Sequence, residues 1–145
     1  MHIRDARPDE AGALTGLQRR ASLVWDDTRE ALLAHPEVID VPVELLASVR
    51  VAEEDGRPLG FSAVIPLADG AAELDGLFVE PDLMRGGVGR ALVDDVVGRL
   101  RAAGRTRLEV TANLNALAFY EKVGFIAVGP VETQFSPGLR MYRPV

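Results

Sequence analysis

The chain has 145 residues, no cysteine and a formal net charge of −6, with 48% hydrophobic and 26% charged residues. That length corresponds to a single domain, expected over 1–145, and the absence of cysteine excludes disulfides, thiolate metal sites and a cysteine nucleophile, so no metal is expected. The acidic balance argues against broad nucleic-acid binding, and with no apolar run near the roughly 18 residues of a membrane span and no apolar core in "MHIRDARPDE", a cytoplasmic protein independent of membranes is expected.

In chain order, a strand is predicted over 2–6 and a helix from Pro8 or Asp9 to about Val24. Proline suits a first helical position, and Asp9 and Glu10 suit the positive end of a helix dipole. A second helical piece is predicted near 27–34, ending before Pro36, and a short one at 43–48. "SVRVAEEDGRPLGFSAVIPL" has the pattern of a hairpin turned at Asp55-Gly56, and "AAELDGLFVEP" that of a further strand closed by Pro81. From Val88 to Ala103, apolar residues at 88, 92, 93, 96, 97 and 100 keep helical spacing. Arg90/Asp94 and Asp95/Arg99 lie one turn apart on the wet side. "RTRLEVT" is a strand, Leu114 to Lys122 a short helix, and final strands are predicted near 125–131 and 138–143. A mixed α/β domain results, without repeats or linkers.

Charge divides unevenly along this domain. Residues 1–75 hold 15 Asp/Glu and 7 Arg, net −8, while residues 76–145 hold 7 Asp/Glu and 9 Arg/Lys, net +2. Such a division suits a cationic substrate and an anionic cofactor; chance drift of surface charge is the plainer alternative.

"MRGGVGRAL" carries three glycines in four positions, with Arg85 and Arg90 flanking, between a strand ending at Val79 and a helix opening near Val88. Glycine at a helix start costs roughly 0.5–1 kcal/mol against alanine, so bare backbone there needs a reason. Helix N-termini carry unpaired N–H groups and about half a positive charge, and a pyrophosphate is the natural guest, with the two arginines adding charge-assisted bonds. A turn that only changes direction is the alternative. A nucleoside triphosphate loop needs Gly-Lys-Ser/Thr, and the only lysine is Lys122. A dinucleotide fingerprint finds Gly87 and Gly89, with Glu109 20 residues further on. Leu92, however, occupies the third glycine position, and Glu80 to Gly86 separate strand from motif.

"LDGLFVEPDLMRGGVGRALVDDVV" resembles the strand, pyrophosphate loop and helix of the GNAT superfamily of acetyl-CoA-dependent acyltransferases, and "ANLNALAFYEKVGF" resembles its second signature. The resemblance extends over nearly the full chain. It implies a GNAT-type fold, with a mixed central sheet of about six to seven strands flanked by helices, and acetyl-CoA as co-substrate. Leu77, Phe78 and Val79 would offer backbone groups to the pantetheine arm as if to an added strand. Gly86, Gly87, Val88 and Gly89 would cradle the pyrophosphate with Arg85 and Arg90, Asn113 would bond to the cofactor arm, and Phe119 would pack beside it or serve the core. Met84 stands where the family usually has Gln or Arg, and Gly86 replaces a frequent basic residue, which leaves the charge to Arg85.

Tyr120 matches the family's proton donor, since a phenol with a reference pKa near 10 can protonate a leaving thiolate. A buried structural tyrosine is the alternative; Tyr142, in a terminal strand, fits no such motif and is read as structural. Glu73, four residues before Leu77, matches a common general base, and Asp75 is the second candidate, because strict alternation turns both to one face. The acceptor pocket of the superfamily is usually built by the first helices. Here Trp25 with Asp26 and Asp27 would offer an aromatic face and negative charge to a cationic amine, although core packing and helix capping are the simpler roles. The lack of cysteine excludes a cysteinyl intermediate, which favours direct attack by the amine in a ternary complex. A CoA-binding module without turnover is the competing class, and the assembly is expected to be a monomer or homodimer.

Overall fold

A computed structural model describes residues 1–24, 29–30, 33–35, 40–133 and 137–145. The elements are β1 (His2–Asp5), α1 (Ala11–Ser22), β2 (Val49–Glu54), β3 (Arg57–Pro66), β4 (Ala71–Val79), α2 (Val88–Ala102), β5 (Arg107–Asn113), α3 (Leu117–Lys122), β6 (Ile126–Glu132) and β7 (Pro137–Pro144). A tighter 3-10 helix occupies Val43–Ser48. The strands form one seven-stranded sheet in the order β1-β2-β3-β4-β5-β7-β6. Every neighbouring pair is antiparallel except β4 and β5, which are parallel. A parallel pair needs a crossover, and α2 supplies it.

Alternation along the strands divides the core. Val51 joins Leu14 and Leu17 of α1, whereas its neighbour Ala52 joins Val88 and Leu92 of α2, so the two helices cover opposite faces. Further along α2, Val93, Val96 and Val97 bury against Ala72, Leu74, Leu108 and Met141. The apolar positions predicted for α2 are therefore its buried seam, apart from half-buried Leu100. Full burial of a side chain of this kind contributes roughly 1.5–3 kcal/mol. The β2–β3 hairpin turns at Asp55 (φ 50°) and Gly56 (φ 80°), the doubly left-handed geometry that matches strand twist.

Several local expectations are corrected. Helix α1 opens at Ala11, not at Pro8 or Asp9, because residues 7–10 form a turn. There the Glu10 carboxylate accepts the Arg7 N–H at 2.6 Å and both arms of Arg4 at 2.8 Å. The helix ends at Ser22 rather than Val24, and the piece predicted near 27–34 is helical at 29–30 and 33–34, its other residues lying outside the described ones. Asp95 does not pair with Arg99; Arg50 of β2 holds it at 3.1 Å through two bonds. Arg90 likewise turns away from Asp94 and donates to the Lys122 carbonyl at 3.3 Å. Among the described residues no helix is long and apolar enough to cross a membrane.

The β3–β4 ladder is interrupted near its middle. Ala63 faces Gly76 but Val64 faces Leu74, so Asp75 is an extra residue with no partner across the ladder. A bulge of this kind bends its strand. The parallel β4–β5 pairing covers only Ala71–Glu73 against Arg107–Glu109, after which the strands part.

Candidate active site

The parting of β4 and β5 opens a cleft of about 990 Å³. Leu74 to Val79 form one wall and Val110, Thr111 and Asn113 the other; Arg85, Gly87, Gly89 and Arg90 lie along it, as do Phe119 and Tyr120 of α3 and Ala21 and Ser22 of α1. Beyond Glu73, β4 keeps its pairing with β3 but has no ladder on the cleft side. Its backbone there borders the cleft.

The glycine-rich stretch behaves as two devices. Gly87 caps α2 in a left-handed conformation (φ 88°) that only glycine adopts freely, and this turns the chain into the helix. Gly89 lies in the first turn, where an added Cβ would stand 3.1 Å from the Phe119 ring. Its bareness keeps the surface between helix and ring open. The remaining two positions of the loop serve otherwise. Gly86 donates its N–H to the Leu83 carbonyl at 3.0 Å, and Val88 buries its side chain in the core, so neither residue lines the cleft. Arg85 lines the cleft from a left-handed backbone (φ 72°), which costs a residue with a Cβ roughly 1–2 kcal/mol. Strain of this kind gathers at functional loops.

Tyr120 is buried, with its ring edge-on to Phe119 and Phe125 at centroid distances of 5.3 Å. Burial pushes its phenol up to about 12. At neutral pH the phenol is therefore protonated, on the cleft wall. Phe119 packs against the core cluster and lines the cleft beside Gly89. Asn113 closes β5, and its Oδ1 accepts from the Asn115 backbone N–H at 2.8 Å.

The two carboxylates expected as bases separate. Strict alternation would turn Glu73 and Asp75 to one face, but the bulge breaks it: Asp75 is exposed on the cleft lining and Glu73 is not part of it. Glu73 is instead gripped by Arg140 of β7 through two bonds of 2.6 and 2.8 Å. Arg140 also donates to Glu109 at 3.1 Å and to Thr111 at 3.0 Å, crossing β5 to tie β7 to β4 at the point where the strands divide. The Glu73 bond raises the Arg140 guanidinium above its ordinary value. Burial would raise Glu109, but Arg140 and Arg107 outweigh it and hold that carboxyl below its usual range. Of the two carboxylates expected as bases, Asp75 is thus the one exposed on the cleft, while both oxygens of Glu73 are engaged by Arg140. Sequence reasoning missed Arg140, which lies 67 residues from Glu73 and belongs to no local pattern. Trp25, Asp26 and Asp27 lie outside the described residues; Ala21 and Ser22, a few residues before them, line the cleft.

A mixed sheet split between its parallel strands, with a glycine-capped helix at the split, is the fold of N-acetyltransferases of known structure. The PaiA N-acetyltransferase of Thermoplasma acidophilum, solved in complex with coenzyme A, superposes with a TM-score of 0.82 at 16% identity over 99% of this chain and 98% of that one. An aminoglycoside 6′-N-acetyltransferase complexed with coenzyme A superposes at 0.72, with 18% identity over 99% and 97%. The profile of the Acetyltransferase (GNAT) family matches residues 15–125, and the chain belongs to that family of acyltransferases. Among curated proteins, the peptidyl-lysine N-acetyltransferase YjaB of Salmonella typhimurium is 30% identical over 135 residues, 91% of this chain and 88% of its own length.

Proposed function

We propose that the protein transfers the acetyl group of acetyl-CoA directly to a primary amine that arrives as a cation. The observation that carries this reading is the placement of the Gly87–Gly89 helix start and Tyr120 on one cleft, opened where β4 leaves β5. The residues fit the co-substrate at each point. The unpaired edge of Leu77–Val79 suits an amide-bearing arm, and the first turn of α2 with Arg85 and Arg90 suits a pyrophosphate. Asn113 and Phe119 hold and flank the arm. Acetyl-CoA supplies the thioester whose carbonyl the amine attacks. Asp75, exposed on the cleft wall, takes the proton that the ammonium must lose, directly or through water, and Tyr120 gives a proton to the departing sulfur. A backbone N–H of β4 stabilises the negative charge that develops on the carbonyl oxygen.

The lysyl side chain of a protein is the acceptor class to test first, because a relative matched over most of its length is a peptidyl-lysine N-acetyltransferase. Trp25, Asp26 and Asp27, which follow the cleft-lining end of α1, are the proposed acceptor contacts. The test is release of free thiol from acetyl-CoA against lysine peptides, N-terminal peptides, polyamines and aminoglycosides. Thiol release with at least one cationic amine supports the reading. CoA binding without thiol release for any amine would make the chain a CoA-binding module instead.

A further inference from the structure

Glu80 is the first residue after β4, and it opens the loop that leads to Gly87. It is buried although charged. Its backbone is fixed at both ends: the N–H donates to the Leu59 carbonyl at 2.9 Å and the carbonyl accepts from the Leu83 N–H at 2.9 Å. Its carboxylate reaches two other elements. Oε1 accepts Arg20 Nε of α1 at 2.8 Å, and Oε2 accepts Arg57 Nη2 of β3 at 3.3 Å. Arg57 extends the tie to both oxygens of Asp82, two residues along the loop, at 3.3 Å. A carboxylate with this little access to water needs its cationic partners, because unpaired it would be strongly disfavoured there. Glu80 therefore constrains the relative placement of α1, β3 and the loop at their junction.

The positions flanking this junction give the tie a consequence. Arg20 is followed directly by Ala21 and Ser22, which line the cleft, while Glu80 is followed by the loop whose Met84, Arg85 and Gly87 line it from another side. Arg20 and Glu80 themselves are not among the lining residues. We propose that Glu80 is a positioning residue, which through Arg20 holds the last turn of α1 and the pyrophosphate loop in one arrangement, so that a change on α1 outside the cleft alters the affinity for CoA. This rests on the proposed function, since it assumes that CoA is bound at that loop. Arg57 forms a second anchor that fixes the loop to β3, and the shared carboxylate makes the two arginines act through the same oxygen pair.

Arg20→Gln is the deciding variant: its side chain is more than half exposed, so its loss leaves the core intact. Glu80→Gln, Arg20→Lys and the double variant Arg20→Gln/Glu80→Gln complete the set. CoA itself is titrated into each by calorimetry, with thermal unfolding of the free proteins alongside. The expected result is a 5- to 20-fold weaker CoA affinity for Arg20→Gln and for Glu80→Gln, a double variant no weaker than the worse single, and recovery to within about 3-fold for Arg20→Lys. Non-additivity of this kind marks groups that act as one unit. Unchanged CoA affinity in Arg20→Gln, with or without a lower melting temperature, would overturn the positioning role and leave an ordinary structural ion pair. Additive losses in the double variant would overturn it as well. Wild-type protein that binds no CoA would overturn the proposed function first, and that outcome is distinct from binding that Arg20→Gln leaves unaltered.

Discussion

Gly89→Ala isolates what a bare backbone contributes to the cleft. Alanine in a helix is favoured over glycine by roughly 0.8–1 kcal/mol. Against this stands the added methyl, 3.1 Å from two atoms of the Phe119 ring, closer than ordinary contact and next to a ring that also belongs to the core. The two effects oppose, and the melting temperature of the free protein should move by no more than about 3 °C, since roughly 1 kcal/mol corresponds to about 3 °C at this size. Ligand-induced stabilisation should behave differently. At a CoA concentration about 100 times the dissociation constant, a native-state ligand stabilises by roughly 2.7 kcal/mol, or about 8 °C here. A methyl occupying the surface proposed for a pyrophosphate should weaken binding at least tenfold and remove about 4 °C of that shift. Gly87→Ala is the counterpart. An added Cβ there meets nothing within 4 Å, yet the φ of 88° is hostile to it, so the free protein should lose roughly 1–2 kcal/mol, about 3–6 °C. Both variants are read by thermal unfolding with and without CoA. A full CoA shift in Gly89→Ala would refute the reasoning, because the close-approach surface would then have no ligand to admit.

Tyr120→Phe should lower turnover by roughly 10²–10⁴-fold while CoA affinity by calorimetry stays within about twofold; unchanged turnover would leave Tyr120 a packing residue. The same variant has a stability signature. The buried phenol titrates at about 12 in the fold against about 10 unfolded, so its contribution is complete below pH 10 and is lost between pH 10 and 12, amounting to about 2–3 kcal/mol. Urea unfolding should show that alkaline decline in the wild type and a weaker one in Tyr120→Phe. Asp75→Asn should reduce the rate at subsaturating amine more than Glu73→Gln does; an Asp75→Asn rate equal to that of the wild type would remove Asp75 as the base. Ser62, wholly buried with a hydroxyl that finds no partner among the described residues, should tolerate replacement by alanine with a gain of about 1 kcal/mol in urea unfolding. A loss greater than about 1 kcal/mol would show that the hydroxyl is satisfied after all.

Features written in short windows of sequence were recoverable: the seam of α2, the Asp55-Gly56 turn, the order of the strands along the chain, and the glycine stretch with its flanking charges. Those features depend on neighbours within one or two turns, and local spacing encodes them. The pairings that decide the site are encoded elsewhere. Arg140 reaches Glu73 over 67 residues and Arg20 reaches Glu80 over 60, through a sheet whose strand order differs from the order along the chain. Asp95 illustrates the same limit, since an arginine stood one turn away along its own helix and the structure chose Arg50 on β2. The bulge at Asp75 is equally invisible to alternation, because an extra residue is defined only by what the neighbouring strand leaves unmatched. Resemblance to a known family pointed to several residues that line the cleft, among them Leu77, Asn113 and Tyr120; it did not distinguish an exposed carboxylate from one already held.

The cleft wall at Leu77–Val79 gives each residue two separate duties. Leu77 and Val79 send their side chains into apolar clusters, while their main chain borders the opening left by β5. Replacing one hydrophobic side chain with another at these positions alters packing but leaves every amide and carbonyl where it was. A saturation-mutagenesis map scored for catalysis would therefore show this segment as tolerant wherever the protein still folds, and would assign its losses to stability. Only a change to the main chain itself, such as proline or an amide-to-ester replacement, would expose the contribution of these residues to ligand capture. What Leu77–Val79 are proposed to contribute to an acyl donor therefore lies in a part of the polymer that side-chain substitution does not edit.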